Sequence, residues 1–303
     1  MQCTSAVPSE HGNAASVTRS SAVPGYRDGG HGPFTAVLLH GWPQTSYAWR
    51  RVLPLLEQTC SSVAVDLPGI GRCTPQSDAF DKATMAANVR AVLEDLDLGR
   101  VFLVGHDMGA LVAYAYARRY PASLRGLVII DTPLPGIAGW DDMARSTAYW
   151  HLGFHSDSDR GQFTADTLVQ GHQQAYFRSF IDRFAAHPAA ITDADIAVYV
   201  SGYSEADQLV AGFKMFSALP IDTVDNESAI EELDVPVLLA FSEFSHATLV
   251  ETVAEGLREV GVADIRTVVI SDCGHWPAEE QPAALARIIT NFVESCGLTC
   301  SGE

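Results

Sequence analysis

The sequence predicts an α/β fold: a mostly parallel central sheet flanked by helices, with a helical cap inserted. Short, nearly continuous apolar runs alternate with helical stretches between residues 35 and 131, as expected for strands buried on both faces of a parallel sheet. The alternation then stops. From about 134 to 220 the pattern is helical and rich in aromatics, and strand signals return only at VPVLLAFSE (235–243) and IRTVVIS (265–271). The core is therefore expected in two pieces, 23–133 and 221–303, around a helical cap at 134–220. Residues 1–22 lack either period and read as a disordered tail.

In chain order, TAVLLHG (35–41) reads as a strand, followed by a helix from about Tyr47 to Gln58 and a second strand in SSVAVDLPGIGR (61–72). A helix from about Thr84 to Leu96, the strand VFLVGH (101–106), a helix to Arg119 and the strand LRGLVIID (124–131) continue the series. The final helix is expected over about 281–295.

With 303 residues, 47% of them hydrophobic, the chain is long enough to bury a core and carry an insertion. The formal charge of −18 repels phosphate backbones and anionic membranes, which argues against nucleic-acid binding. No apolar stretch reaches the ~18 residues a membrane helix needs. The segment MQCTSAVPSEHGN has no signal-peptide pattern, so a cytoplasmic protein is expected. The six cysteines form no Cys-x-x-Cys pair and are expected as free thiols; Cys296 and Cys300 have no partners nearby for a zinc site, although a disulfide between them is allowed.

The chemistry is concentrated in three loops. Gly105-x-Asp107-x-Gly109, between the strand at 101–106 and a small-residue helix, has the form of a nucleophile elbow, a sharp turn that usually presents serine. A carboxylate there attacks an sp³ carbon and leaves an alkyl ester, which points to epoxides or haloalkanes. The loop His40-Gly41-Trp42-Pro43 should approach the elbow, making the backbone N–H groups of Trp42 and Met108 the expected oxyanion hole. His275, in SDCGHWPAEEQP, is the expected base that activates water. Its carboxylate partner is expected to be Asp131, at the end of LRGLVIID, with Glu243 as the alternative. Either aspartate could instead be a helix cap or turn residue.

HGWPQT, DLPGIGR, VGHDMG, IDTPLPG and DCGHWPAEEQP together resemble the epoxide hydrolase branch of the α/β-hydrolase superfamily, over roughly residues 26–295. The closest likeness is to bacterial members whose triad acid follows the sixth strand and whose cap supplies a histidine. That resemblance implies the α/β-hydrolase fold, an Asp107–His275–Asp131 triad and a cis peptide before Pro43. It also implies a pair of cap donors to the epoxide oxygen, with His151 as the first. At the position of the second, a tyrosine in the family, this chain has Phe216, so either Tyr203, Tyr199 or Tyr149 compensates, or His151 acts alone, or the enzyme opens an activated substrate or does something else. No cofactor and no metal are implied. The expected partners are a small apolar epoxide and water, and a homodimer is allowed. The alternatives are a haloalkane or haloacid dehalogenase using the same aspartate, and a non-catalytic binding protein on the same fold.

Overall fold

The computed structural model describes residues 27–29, 32–156 and 168–299, so the expected tail at 1–22 lies outside the described residues. Seven strands form one sheet: β1 (Arg27–Gly29), β2 (Thr35–Leu39), β3 (Ser61–Val65), β4 (Val101–His106), β5 (Leu124–Ile130), β6 (Val237–Ser242) and β7 (Ile265–Ile270). Their order is β1-β3-β2-β4-β5-β6-β7. β1 is antiparallel to β3, and the remaining six strands are parallel.

Burial follows position in the sheet. The central β4 is buried at all six positions and reads as an unbroken apolar run, whereas the edge strand β7 is mostly half-buried or exposed. β1 escaped the sequence reading because three residues are too few to show a period. The helix expected from Tyr47 is instead a 3-10 segment, Ser46–Arg51, followed by the single turn Leu53–Leu56. Val52 separates the two pieces, and Pro54, which has no amide to donate, sits in the first turn of the second.

Among the described residues no strand lies between Asp131 and Pro236; this stretch contains the helices Trp140–Arg145, Trp150–Ser156, Gln173–Phe184, Asp193–Ser201, Ala206–Ser217 and Leu219–Ser228. The last of these straddles the expected boundary at residue 220. Its Asp222 accepts from buried Lys82 at 2.7 Å, which ties the helix to the core. Among the described residues no helix is long and apolar enough to cross a membrane.

The thiol expectation needs one correction. Cys60 and Cys273 are buried free thiols, but Cys73 is disulfide-bonded. No short Cys-x-x-Cys spacing announces that bond in the sequence.

The sheet order creates the site. After β2 the chain adds β3 on one side, then crosses back to place β4 on the other, which leaves a crevice beyond the carboxyl ends of β2 and β4. The loop after β2 and the turn after β4 meet there.

Candidate active site

Asp107 occupies the turn between β4 and the helix Met108–Arg119 with φ +50° and ψ −124°, a conformation L-residues rarely adopt. The turn is tight because the helix start presses on the β2 loop: a Cβ on Gly109 would lie 2.5 Å from the His40 carbonyl oxygen. Gly41 faces a similar limit, since a Cβ there would lie 2.5 Å from the Asp107 Cβ. Glycine at these two positions lets the loop and the aspartate approach. The Trp42–Pro43 peptide is cis, and the Trp42 amide donates to Asp107 Oδ1 at 2.8 Å.

The other Asp107 oxygen faces the histidine. His275 Nε2 lies 3.5 Å from Oδ2, and His275 Nδ1 lies 2.7 Å from Asp131 Oδ2. Asp131 follows β5, the fifth described strand, and also has positive φ. It is fully buried, and its Oδ1 accepts from the Ser242 amide at 2.7 Å. Glu243 is exposed and accepts from the Asp272 amide, so the structure brings Asp131, not Glu243, to His275.

The charges within this group reinforce one another. Burial alone would raise the Asp107 pKa, but the hydrogen bond and charge of His275, aided by the Met108 amide, hold it at about 2. Burial likewise opposes the His275 imidazolium, yet the two flanking carboxylates outweigh it and raise this histidine to about 10. Asp131 is held well below the usual carboxylate range against the same desolvation penalty, by His246 and His275. His106 packs on the His275 ring at 4.8 Å and bonds the His275 carbonyl through Nε2 at 2.7 Å. Burial and the neighbouring His275 charge lower it to about 4.

Beside Asp107 and His275, helices from the stretch between β5 and β6 line a largely apolar cavity. Trp42, Phe180, Phe184, Phe216, Trp140 and Met143 supply much of its wall, and Asp107, His151, His246 and His275 supply its ionisable groups. Among the described residues no lysine or arginine lines it. His151 is buried, burial lowers its pKa to about 4, and its Nδ1 has no partner within the protein. Phe216 packs edge-on against Trp42 at 5.3 Å and brings no hydrogen-bonding group.

Tyr203 is not a cavity residue. Its fully buried hydroxyl donates to the Gln44 carbonyl at 2.9 Å, which ties the cap to the core. Tyr199 is committed in the same way, to Glu279 and Gln44. Both positions are corrections to the expected donors, because the sequence shows a tyrosine but not which way it faces. Tyr149 does line the cavity, stacked on His246 at 5.3 Å, and burial raises its phenol to about 12.

Two contributors were missed. His246 sits where the sequence offered no aspartate, with Nδ1 3.4 Å from Asp131 Oδ2 and 2.9 Å from Ser245 Oγ. Glu280 accepts from the amides of Gly274 and Trp276, on either side of His275, and from those of Ala186 and His187 in the cap. Its place five residues after His275, at the start of a helix, was the available signal. Donor atoms of Asp131, His246 and His275 lie within 4.8 Å of one another, the spacing of a metal-ligand set, but two of them already share the triad hydrogen bond.

Fold and site together define an enzyme with a carboxylate at a nucleophile elbow. The chain belongs to the alpha/beta hydrolase fold family, whose description matches residues 37–282, and within it to the epoxide hydrolase type. It is 30% identical over 255 residues to the soluble epoxide hydrolase of Corynebacterium sp. (strain C12), covering 82% of this chain and 86% of that protein. A fluoroacetate dehalogenase of Burkholderia sp. is 35% identical over 133 residues, 42% of this chain and 43% of that protein. Among solved structures, Cfl2 from Burkholderia cenocepacia superposes with a TM-score of 0.78 at 33% identity, covering 88% of this chain and 91% of that one. The epoxide hydrolase CorEH gives 0.77 at 26% identity, covering 89% and 94%. The protein is therefore a hydrolase.

Proposed function

We propose that this hydrolase opens a small, uncharged, largely apolar epoxide to a vicinal diol through an ester on Asp107. The observation that carries the reading is the approach of His275 Nε2 to Asp107 Oδ2 at 3.5 Å, with Asp131 on the other ring nitrogen at 2.7 Å.

In this mechanism Asp107 Oδ2 attacks a ring carbon while the Trp42 amide holds Oδ1. The breaking C–O bond leaves its electron pair on the epoxide oxygen, which the neutral His151 ring stabilises with a hydrogen bond. Loss of the Asp107 charge removes one of the two carboxylates that hold the His275 proton. His275 then gives that proton to the alkoxide and becomes a neutral base. It next takes a proton from water, whose oxygen attacks the ester carbonyl, and the Trp42 and Met108 amides stabilise the oxyanion. Collapse releases the diol, the Asp107 carboxylate and the His275 imidazolium. Protons balance over the cycle, and one water is consumed.

Haloacid dehalogenation fits less well. A substrate carboxylate would enter a cavity that no lysine or arginine lines among the described residues, beside the Asp107 charge. Haloalkanes carry no such penalty, so the test separates leaving groups. His275→Gln protein is exposed to epoxides and to haloalkanes and its intact mass measured, with peptide mapping. An adduct equal to the whole epoxide on Asp107 is expected. An alkyl adduct without halogen would make the protein a dehalogenase, and the absence of any adduct on Asp107 would remove the ester mechanism.

The expected cytoplasmic setting is in conflict with the disulfide at Cys73, which weighs against a strongly reducing compartment. Thiol titration of protein purified under alkylating conditions decides the point.

A further inference from the structure

The cavity contains a polar position that the ring-opening chemistry does not use. His246 lines the cavity and is buried, and its Nε2 has no hydrogen-bond partner among the described residues. It is separated from the nucleophile by the triad itself. The contacts run from Asp107 Oδ2 to His275 Nε2 at 3.5 Å, from His275 Nδ1 to Asp131 Oδ2 at 2.7 Å, and from Asp131 Oδ2 to His246 Nδ1 at 3.4 Å. His246 therefore reaches the cavity at a position distinct from His151, with the Tyr149 ring in contact with both.

The environment assigns its tautomer. Asp131 is an ionised, fully buried carboxylate, and a lone pair on His246 Nδ1 facing it would be repelled. The proton belongs on Nδ1, where Asp131 Oδ2 and Ser245 Oγ are both within reach. With that proton on Nδ1, Nε2 turns its lone pair to the cavity, and its match is a hydrogen-bond donor carried by the ligand. The ring is also fixed in place: it stacks on Tyr149 with 24° between planes, and Phe241 meets it edge-on. A buried acceptor left unpaired is costly, so a ligand that satisfies it is selected over one that does not.

We propose that His246 is a specificity-determining residue and that the preferred substrates are neutral epoxides bearing a hydroxyl group on the carbon chain beyond the ring. The inference rests on the epoxide hydrolase reading. In it, His151 takes the ring oxygen and His246 Nε2 accepts the hydroxyl proton, while the apolar wall takes the intervening carbons.

The experiment measures kcat/KM for a homologous series of ω-hydroxy terminal epoxides, with the methyl ether and the alkyl analogue of each length as controls. For the chain length that spans the two positions, wild-type protein should prefer the alcohol over both controls by about tenfold or more. The ether tests the tautomer, because it accepts a hydrogen bond but cannot donate one. In His246→Leu the preference should fall to within about twofold. His246→Gln, which retains an acceptor, should keep part of it. A general loss of activity caused by disturbing Asp131 would affect all three substrates alike and leave their ratio unchanged. Equal kcat/KM for alcohol, ether and alkane in wild-type protein, or a preference that survives His246→Leu, would overturn the inference while leaving epoxide hydrolysis intact. No turnover of any epoxide, with no adduct on Asp107 in His275→Gln, would remove the underlying reading itself.

Discussion

The floor and the roof of the cavity are built on opposite principles. In the floor, polar groups answer one another: both Asp131 oxygens, both His275 ring nitrogens and both Asp107 oxygens have partners 2.7–3.5 Å away. In the roof, aromatic rings pack edge to face, and the buried Nδ1 atoms of His151 and His155 have no partner. A closed polar network in a low-dielectric setting holds reacting groups in one geometry and sets their charges. An apolar wall with a few unsatisfied polar points selects what enters. The comparison teaches that the sheet-borne floor is a paired polar network and the helical roof an apolar wall, with the unpaired Nε2 of His246 the exception in the floor.

Asp131→Asn attacks the floor at its most buried point and should have the largest effect beyond removal of the nucleophile or base. An amide cannot hold the imidazolium, and it permits the wrong tautomer. Ester hydrolysis should slow by about 10³–10⁴-fold, while alkylation of Asp107 persists and adduct accumulates in single-turnover mass spectra. Wild-type-like hydrolysis in this variant would show that another carboxylate serves His275.

His151→Phe addresses the roof where it meets the chemistry. Losing the hydrogen bond to the opening ring should slow alkylation by about 10²-fold and leave the hydrolysis of a preformed ester nearly unchanged. If both steps slow equally, His151 shapes the cavity and does not assist ring opening.

The floor should also reveal itself through pH. His275 is raised in the folded protein to about 10 from an ordinary 6.5, so the stability its charge contributes is fully present below about pH 6.5. It is lost as pH rises through about 10. Thermal midpoints of the wild type should therefore fall more over this window than those of His275→Gln. Parallel curves would mean that the imidazolium is not held as described.

Tyr203→Phe should have the smallest effect. It leaves the Gln44 carbonyl without its 2.9 Å donor and should cost about 1 kcal/mol of stability, with kcat changed less than about twofold. A large fall in kcat would return Tyr203 to the reacting site.

These contrasts also explain what was legible beforehand. The strands β2 to β6 announced themselves because both faces are covered, which leaves almost no polar residue to interrupt the run. Gly105-x-Asp107-x-Gly109 was legible because a tight turn leaves its requirement in adjacent residues. The proximity of His275 to Asp107 and Asp131 was anticipated from its loop and chain order, and the preference for Asp131 over Glu243 came from the end of its strand. The cap was readable only as helical and aromatic. A helix shows its period in sequence, but not which tyrosine will face the cavity and which will lie in the seam with the core, as Tyr199 and Tyr203 do.

The sequence by itself determined the fold class, the place where the sheet is interrupted and the presence of a carboxylate on a tight strand-to-helix turn, because these depend on local period, turn geometry and side-chain chemistry. Only the tertiary structure decided that His246 shares Asp131 with His275, that Glu280 braces the His275 loop against the cap, and that two candidate tyrosines are structural ties. Each of those roles depends on groups far apart in the chain meeting within hydrogen-bond range. That proximity arises from the strand order and the closure of the cap, and no local pattern encodes it.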